Sequence, residues 1–306
     1  MGYIKEELKK QKKIYKIMLN LLYYAQKIET TYAYKERLKR EFKKYLGYTL
    51  NLDNPQSFNE KLQWLKTYYR NPIMAQCADK QGVRKIIIKE IGAQYLVPQY
   101  GVYNSSKEIR LEQLPDSFVL KPSHSSGRVI LCHDKRKMDW PETFEKLDDW
   151  LKENYYYQSG EWVYKDIKPR IICEKFLTGE MIDYKFMCFF GEPKLLFTCS
   201  DRECGDLKVT FFDMEFKKLP FIRKYPSSDT IKKPYFFNEM IEISKKLSKK
   251  FPFVRVDFYE NQGKLYFGEL TFFPGGGFEW FSPVEWDYKL GAMLDLKKID
   301  SMYIKR

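Results

Sequence analysis

The chain has 306 residues, of which 44% are hydrophobic and 17% aromatic, so it can bury a sizeable core in one large domain or two smaller lobes. Its formal net charge is +13, and most of the basic excess lies in the first 45 residues, which argues against a nucleic-acid groove lined by the whole domain and a nucleic-acid partner. The sequence has neither an apolar run of about eighteen residues nor a secretory leader, so we expect a cytoplasmic protein.

The first 45 residues predict two basic helices. Apolar residues recur at three- and four-residue intervals from residue 3 to 28, and lysines crowd the other side. We favour a helix packed on its own domain with solvated lysines. The alternative is a helix lying on an anionic membrane, which would place the chain at the inner membrane surface. A second basic helix is predicted from Tyr32 to Tyr45.

The next segment carries helix boundary signals, and the rest of the chain mixes strands and helices. Ser57 is a predicted N-cap for a helix from Phe58 to Tyr69, and Pro72 begins a predicted helix that ends at Gly92. Further strands and helices alternate as hairpin-like pairs, which predicts an α+β fold with antiparallel sheets. The strands are predicted at Phe118–Leu120, Arg128–Cys132, Ile171–Phe176, Tyr184–Phe190 and Lys194–Cys199, and the helices at Glu142–Tyr156 and Asn238–Lys250.

Six cysteines are scattered along the chain, and none forms a C-x-x-C pair. Several lie in apolar runs that are typical of strands. This pattern predicts reduced, buried thiols and no disulfide or zinc framework.

A strand, a Ser/Gly loop and a second strand follow one another from residue 118 to 130. Lys121 would project a charge from the end of the first strand, and the loop would supply backbone and hydroxyl donors to a phosphate chain. The loop is not a Walker A motif. His124 is either a phosphate contact or a structural histidine. The loop donors are Ser123, Ser125, Ser126 and Gly127.

A connector after the strand at residues 171–176 has features of a nucleoside site. Its free backbone groups would hydrogen-bond a purine edge, and Phe176 and Leu177 would offer apolar faces to the ring. Asp183 begins the next strand and is suited to ribose hydroxyls. Lys185 lies two residues later, on the same face of that strand, and would reach a terminal phosphate.

Two strand-like runs near the C-terminus, Phe253–Tyr259 and Lys264–Phe273, each carry one acid, Asp257 and Glu269. The intervening residues predict a hairpin turn that brings the strands side by side. Buried acids need a cation, and Mg²⁺ bridging phosphates is a common solution where two carboxylates converge. The alternative is a pair of solvated acids on an edge hairpin.

Several motifs in fixed order resemble the teichuronopeptide-biosynthesis (TupA-like) branch of the ATP-grasp superfamily, from about Phe58 to Leu294. They are Cys77-Ala-Asp-Lys80, Val119-Leu-Lys-Pro-Ser-His124, Asp183-Tyr-Lys-Phe186, Val254-Arg-Val-Asp-Phe-Tyr259 and Phe267-Gly-Glu-Leu-Thr-Phe272. The resemblance implies an ATP-grasp fold with two α+β lobes of antiparallel sheets that enclose a nucleotide. It divides the chain into a basic helical region at 1–70 and an ATP-grasp domain at 71–300, with the cleft between lobes near 115–183 and 184–295.

The resemblance also implies residue roles. Asp257 and Glu269 match magnesium ligands, and Arg255 matches the arginine that steadies the transferred phosphoryl group. Thr271 stands where many relatives have a ligating Asn, so its role stays open. The residues matched to ATP are Lys80 and Lys121 for the phosphates, Glu174, Lys175, Phe176 and Leu177 for adenine, and Asp183 for the ribose.

Two further segments have two interpretations each. Arg202 would bind a substrate carboxylate or is a solvated loop arginine. Gly275, Gly276 and Gly277 directly follow the second acidic strand, and they would allow a bound anion to approach the backbone closely or form only a wide turn.

The resemblance implies an ATP- and Mg²⁺-dependent ligase that joins a small amine to a sugar uronate or nucleotide-sugar through an acyl-phosphate, in surface polysaccharide biosynthesis. A kinase that phosphorylates a sugar or polyol hydroxyl would use the same nucleotide site. A non-catalytic or glycosyltransferase-like polysaccharide protein is the third hypothesis, although the chain has no D-x-D motif that would support it.

Overall fold

A computed structural model describes residues 2–179, 181–201 and 205–305 of the chain. It confirms the predicted α+β class with antiparallel sheets preceded by helices. Arg202, predicted as a substrate ligand, lies outside the described residues. The α-helices are α1 (Gly2–Tyr32), α2 (Tyr34–Leu46), α3 (Phe58–Tyr68), α4 (Ile73–Ala78), α5 (Gly82–Glu90), α6 (Trp140–Lys152), α7 (Tyr155–Ser159), α8 (Phe237–Ser248) and α9 (Glu285–Met293).

Two main antiparallel sheets organise the fold, in the order β1-β4-β2-β3 and β10-β9-β5-β6-β7, and a short pair joins β8 and β11. Each predicted strand is found within a few residues of its expected bounds, and β1, β7, β8 and β11 were not predicted. The strands are β1 (Gln99–Tyr103), β2 (Phe118–Pro122), β3 (Ile130–Cys132), β4 (Ile171–Lys175), β5 (Asp183–Phe189), β6 (Glu192–Ser200), β7 (Lys208–Phe212), β8 (Ile222–Arg223), β9 (Phe253–Asn261), β10 (Lys264–Thr271) and β11 (Phe281–Ser282).

The larger sheet carries the larger core. Helix α3 begins at the predicted N-cap, where Ser57 and Glu60 form a capping box, and it buries Phe58 and Leu62 against this sheet. Helix α8 packs on the same sheet, with Phe237 against Phe186. The smaller sheet has its own core, which it shares with α6. Each sheet therefore has its own packed core.

The predicted helix from Pro72 to Gly92 is wrong, because the chain breaks between α4 and α5. Asp79 at the break is extended, with φ −71° and ψ 112°. Its carboxylate accepts a hydrogen bond from the Gln81 backbone at 3.0 Å and pairs with Arg170 at 2.7 Å. These bonds replace helical ones. The break releases Lys80 from a helix surface and lets it face the loop after β2.

The interpretation of the first helix as one packed on its own domain is also wrong for most of its apolar stripe. Ile14, Met18, Leu21 and Ile28 are 51%, 62%, 65% and 61% exposed. The side that meets the domain is polar, since Thr30 contacts Tyr157 and Arg37 through hydrogen bonds. From Ile14 to Ile28, where the structure describes these side chains, the apolar side of α1 is therefore not packed against the described part of the chain.

Five of the six cysteines are buried free thiols, as predicted: Cys77, Cys132, Cys173, Cys188 and Cys199. Cys204 is not among the described residues. Across the ranges that the structure describes, no helix combines the length and the apolar character needed to cross a membrane.

Candidate active site

The predicted hairpin forms and brings both acids to one face. Strands β9 and β10 pair antiparallel through a two-residue turn at Gln262 and Gly263, which both have positive φ. The register slips between Phe267 and Leu270, so Gly268 and Glu269 together oppose Asp257. This bulge turns the Glu269 carboxylate towards the Asp257 side chain. Asp257 is fully buried, so the alternative of two solvated acids is wrong for it.

Arg255 joins the two carboxylates. Its Nε and one terminal nitrogen donate to Asp257 at 2.7 and 2.6 Å, and the same terminal nitrogen donates to Glu269 Oε1 at 2.9 Å. Lys185 donates to Asp257 Oδ2 at 2.6 Å from the adjacent strand. Burial alone would raise the pKa of Glu269, but Arg255, Lys185 and Lys80 lower it to about 2. This carboxylate is therefore ionised at neutral pH.

The second group of charges lies where the smaller sheet faces the larger sheet. Lys121 pairs with Glu174 at 2.6 Å, and Arg84 reaches the other oxygen of Glu174 at 3.4 Å. Lys80 donates to the Ser125 carbonyl in the loop after β2. Burial lowers the pKa of Lys80, and the positive charge of Lys121 acts in the same direction. Two predicted phosphate-binding lysines thus converge at one place.

A cleft lies between the two sheets. One wall carries Lys121 and Glu174, and the opposite wall carries Glu269. Its apolar lining, which suits an aromatic ring, consists of Cys77, Ala78, Val83, Leu96, Val97, Phe267 and Leu270. Such a mixture of apolar side chains and a few charged groups is typical of small-ligand sites.

The other predicted nucleotide residues divide into two groups: among the described residues, Lys175, Phe176, Leu177 and Asp183 are not part of the cleft lining. Glu174 lines it, whereas Lys175 is exposed and Phe176 packs edge-on against His133, with ring centroids 4.7 Å apart. Leu177 is partly buried beside them. Asp183 is 3.6 Å from the Lys185 ammonium.

The loop after β2 is held by the smaller sheet and by α4. The Ser123 backbone donates to the Arg170 carbonyl at 2.8 Å, and the Ser123 carbonyl accepts from the Lys80 backbone at 3.1 Å. His124 is buried, with Nε2 at 3.1 Å from the Trp150 carbonyl and no partner for Nδ1. The Ser125 hydroxyl is also buried without a partner, and Gly127 takes a positive φ of 73°.

The three glycines after β10 form a tight left-handed turn. The wide turn, one of the two interpretations from the sequence, is not what the structure has. Gly275, Gly276 and Gly277 have φ of 56°, 64° and 75°, a region that favours glycine. Their carbonyls point inwards: Gln63 donates to Gly277 at 2.7 Å, and Lys66 donates to Gly276 at 2.8 Å. The turn is therefore fixed by helix α3.

The sequence analysis missed a carboxylate beside this turn. Glu161 is only 6% exposed, and burial raises its pKa to about 7. The charges of Lys66, Glu269 and Arg255 act on it. A lone Glu between Gly160 and Trp162 has no local signature, and only the assembled site reveals it.

A second groove adjoins the glycine turn and was also missed. It is lined by Arg223, Lys224, Tyr225, Gly275, Phe278, Glu279 and Trp280. Arg223 forms an ion pair with the buried Glu279, and Trp280 is 53% exposed. The groove thus offers aromatic faces and cations next to the acidic hairpin.

The acidic pair fits Mg²⁺ by its chemistry. Mg²⁺ uses one or two carboxylates and completes its shell with water and phosphate oxygens. Within the ranges that the structure describes, no group of three or more His, Cys, Asp or Glu forms a ready cage. Asp257 and Glu269 would supply the two carboxylates, and the Thr271 hydroxyl donates to Glu269 at 3.0 Å. This contact orients the Glu269 carboxylate.

Comparisons with known proteins agree with these features. The family model described as TupA-like ATPgrasp matches residues 60–295. The chain is similar to a D-alanine–D-alanine ligase structure from Bacillus anthracis (19% identity, TM-score 0.47, covering 76% of this chain and 73% of that one). It is also similar to that enzyme from Helicobacter pylori (15%, 0.42, 78% and 70%) and to an L-amino acid ligase from Bacillus licheniformis (14%, 0.41, 68% and 46%). Among curated proteins, no match was found.

Proposed function

The chain belongs to the TupA-like ATP-grasp family, as its motifs predicted, and from this premise we propose that it is an ATP- and Mg²⁺-dependent carboxylate–amine ligase. The observation that carries the proposal is the Arg255 bridge between the buried Asp257 and Glu269, which lines the cleft. Such a site neutralises charge on a phosphoryl group, which is what phosphoryl transfer requires of a protein.

The residues of the cleft divide into three roles. Lys80 and Lys121 would hold the phosphates of ATP, and the apolar wall would hold adenine. Mg²⁺ on Asp257 and Glu269 would offset charge on the phosphate oxygens. Arg255 would orient the transferred group. A substrate carboxylate oxygen takes the γ-phosphoryl group and ADP leaves. An amine then forms the C–N bond, and phosphate leaves with the electrons of the broken C–O bond.

For the acid we propose a sugar uronate or its nucleotide-sugar, in surface polysaccharide biosynthesis. The groove beside Gly275 supports this choice, because Trp280 and Tyr225 offer ring faces to a sugar and Lys224 offers a cation, whereas Arg223 is paired with Glu279. An amino acid or a small amino alcohol would be the amine.

The test is ADP release from ATP and Mg²⁺ with D-glucuronate, D-galacturonate or UDP-glucuronate, each with and without an amine. We expect ADP release that needs both acid and amine, with an amide identified by mass spectrometry. ADP release that needs the sugar but no amine, with a phosphorylated sugar as product, would assign a kinase. Failure of ATP to shift thermal unfolding would favour a non-catalytic protein, since a ligand at about 100 times its Kd stabilises by about 2.7 kcal/mol.

A further inference from the structure

Glu161 is a buried carboxylate that has no hydrogen-bond or ion-pair partner among the described residues. It is 6% exposed. Among the described residues, none donates a hydrogen bond to its side chain, and no Lys, Arg or His nitrogen lies within the 4.0 Å of an ion pair. A buried carboxylate that lacks both kinds of partner is costly, and such groups mark binding or catalytic sites.

Glu161 lies between the parts of the site that the second half-reaction needs. Tyr164, just after it, lines the nucleotide cleft and packs edge-on against Tyr155, with ring centroids 5.0 Å apart. Lys66 donates to the Ser159 carbonyl, two residues before Glu161, at 3.4 Å and to the Gly276 carbonyl at 2.8 Å. Glu161 is therefore next to the cleft through Tyr164 and next to the glycine turn through Lys66.

We propose that Glu161 binds the amino group of the acceptor substrate and takes its proton. This inference rests on the proposed ligase function. An anionic side chain in a buried site is complementary to an ammonium group, and it would select a cationic acceptor over a hydroxyl acceptor.

The proton balance of amide formation fits one carboxylate base. An ammonium must lose one proton before its nitrogen can attack the acyl carbon, and Glu161 takes that proton. The nitrogen then forms the C–N bond while the C–O bond to phosphate breaks. The leaving phosphate keeps the electron pair of that bond and takes the second proton from nitrogen.

The experiment compares the wild type with Glu161→Gln and Glu161→Asp, using ATP, D-glucuronate and three amines. Glycine and ethanolamine carry an ammonium at neutral pH, whereas hydroxylamine is largely uncharged. For Glu161→Gln we expect the KM of glycine and ethanolamine to rise about tenfold or more, with the KM of ATP and turnover with hydroxylamine within about twofold. Glu161→Asp should recover part of the loss.

Other results decide against the inference. An unchanged KM for glycine and ethanolamine in Glu161→Gln overturns it, as does an equal loss with all three amines. If Glu161→Gln does not fold, Glu161→Asp tests it: in this variant the KM of glycine and ethanolamine must rise while turnover with hydroxylamine stays within about twofold of the wild type. Absence of amine-dependent turnover by the wild type sinks the ligase proposal itself.

The exposed side of α1 carries a second inference. Ile14, Met18, Leu21, Ala25 and Ile28 follow each other at three- and four-residue spacing, and other apolar residues widen the stripe to an arc of about 160°. The residues that widen it are Ile17, Leu22 and Tyr24, which are 51%, 55% and 60% exposed. A stripe this wide is broader than a coiled-coil seam.

We infer that this stripe docks on an anionic bilayer. Residues 1–45 carry thirteen Lys or Arg against five Glu, which complements acidic headgroups and disfavours pairing with a second copy of the same charge. The helix meets its own domain through Lys16, which pairs with Glu145 and Asp149 at 2.8 and 2.6 Å. The domain therefore sits on the side opposite the proposed membrane.

Vesicle flotation tests this surface. The full chain should float with vesicles of equal parts phosphatidylcholine and phosphatidylglycerol, and added salt should weaken binding. The double variant Leu21→Asn, Ile28→Asn should bind about tenfold more weakly, whereas Met302→Asn, at an exposed site outside α1, should bind as the wild type does. Equal flotation of the double variant overturns the inference, as does no flotation of the wild type. A dimer in light scattering that the double variant loses would assign the stripe to a second copy.

Discussion

Lys185 and Asp257 lie directly opposite each other on the neighbouring strands β5 and β9, and 2.6 Å separates the ammonium from the carboxylate. Asp257 also accepts two hydrogen bonds from Arg255 and has no exposed surface. One buried carboxylate therefore pairs with two buried cations. Any change at this residue affects both the chemistry of the site and the stability of the larger sheet.

Asp257→Asn and Glu269→Gln should lower amine-dependent ADP release by about 100-fold or more, because both acids position Arg255 and fit the cation. Their effects on stability should differ. Asp257→Asn removes the partner that two buried cations share, leaving Arg255 with Glu269 and Lys185 with Asp183 at 3.6 Å, and should lower the free energy of unfolding by about 3 kcal/mol. Glu269→Gln, whose side chain is 36% exposed, should cost less than about 1 kcal/mol. Chemical denaturation of the two variants checks that Asp257→Asn loses more unfolding free energy than Glu269→Gln.

Asp229→Asn is the matched control for these two variants, because that carboxylate is 89% exposed and pairs with a surface lysine. It should change neither ADP release nor unfolding measurably. Wild-type turnover by Glu269→Gln would refute the role of the acidic pair.

Lys80→Met should raise the KM of ATP by about tenfold or more, because it removes a phosphate-binding cation of the cleft while keeping a side chain of similar length. Turnover at saturating ATP and the thermal midpoint should change less. Lys85→Met, at an exposed position of α5, serves as the control and should leave the KM of ATP unchanged. An equal KM of ATP for the two variants would show that Lys80 does not bind the nucleotide.

Glu161 should make the stability of the protein depend on pH. Burial raises the pKa of this carboxyl from 4.5 to about 7, so the folded state binds its proton more tightly than the unfolded chain does. Stability must then fall as pH rises through this window. Between about pH 5 and pH 7 the wild type should lose about 2 kcal/mol more unfolding free energy than Glu161→Gln.

The neighbours of Glu161 should not titrate in that window. The pKa of Lys66, lowered by burial, is about 8, and the pKa of Glu269 is about 2. Arg255, Tyr155 and Tyr164 titrate at higher pH. Urea unfolding at several pH values makes the comparison, and parallel curves for wild type and variant would contradict the assignment.

Gly277→Ala should destabilise the protein more than Gly127→Ala. Both glycines have positive φ, 75° and 73°, so each alanine carries a backbone penalty of about 1 kcal/mol. A Cβ at Gly277 would lie 2.6 Å from Gln63 Nε2, whereas one at Gly127 meets no atom within 4 Å. The clash should add about 1–3 kcal/mol. Denaturation of the two variants gives the difference, and equal costs would contradict the rigid turn.

The signals that the sequence carried correctly are local ones. Ser57 begins α3 because its side chain and that of Glu60 satisfy nearby backbone groups, and Gln262-Gly263 turns the hairpin because both residues adopt positive φ. The alternation around Asp257 placed its carboxylate on the same face as Arg255. The order of these motifs was enough to identify the family.

By itself, therefore, the sequence determined the α+β class, the family and the residues that carry charge, since these depend on spacing along one strand or one turn. Only the tertiary structure decided where α4 ends, because Arg170 lies 91 residues from the Asp79 that it holds. Only the tertiary structure turned the apolar side of α1 away from the domain, and gave Glu161 its place among Lys66, Arg255 and Glu269 from other elements. Burial and charge proximity arise between segments that are distant in the chain, and no local pattern encodes them.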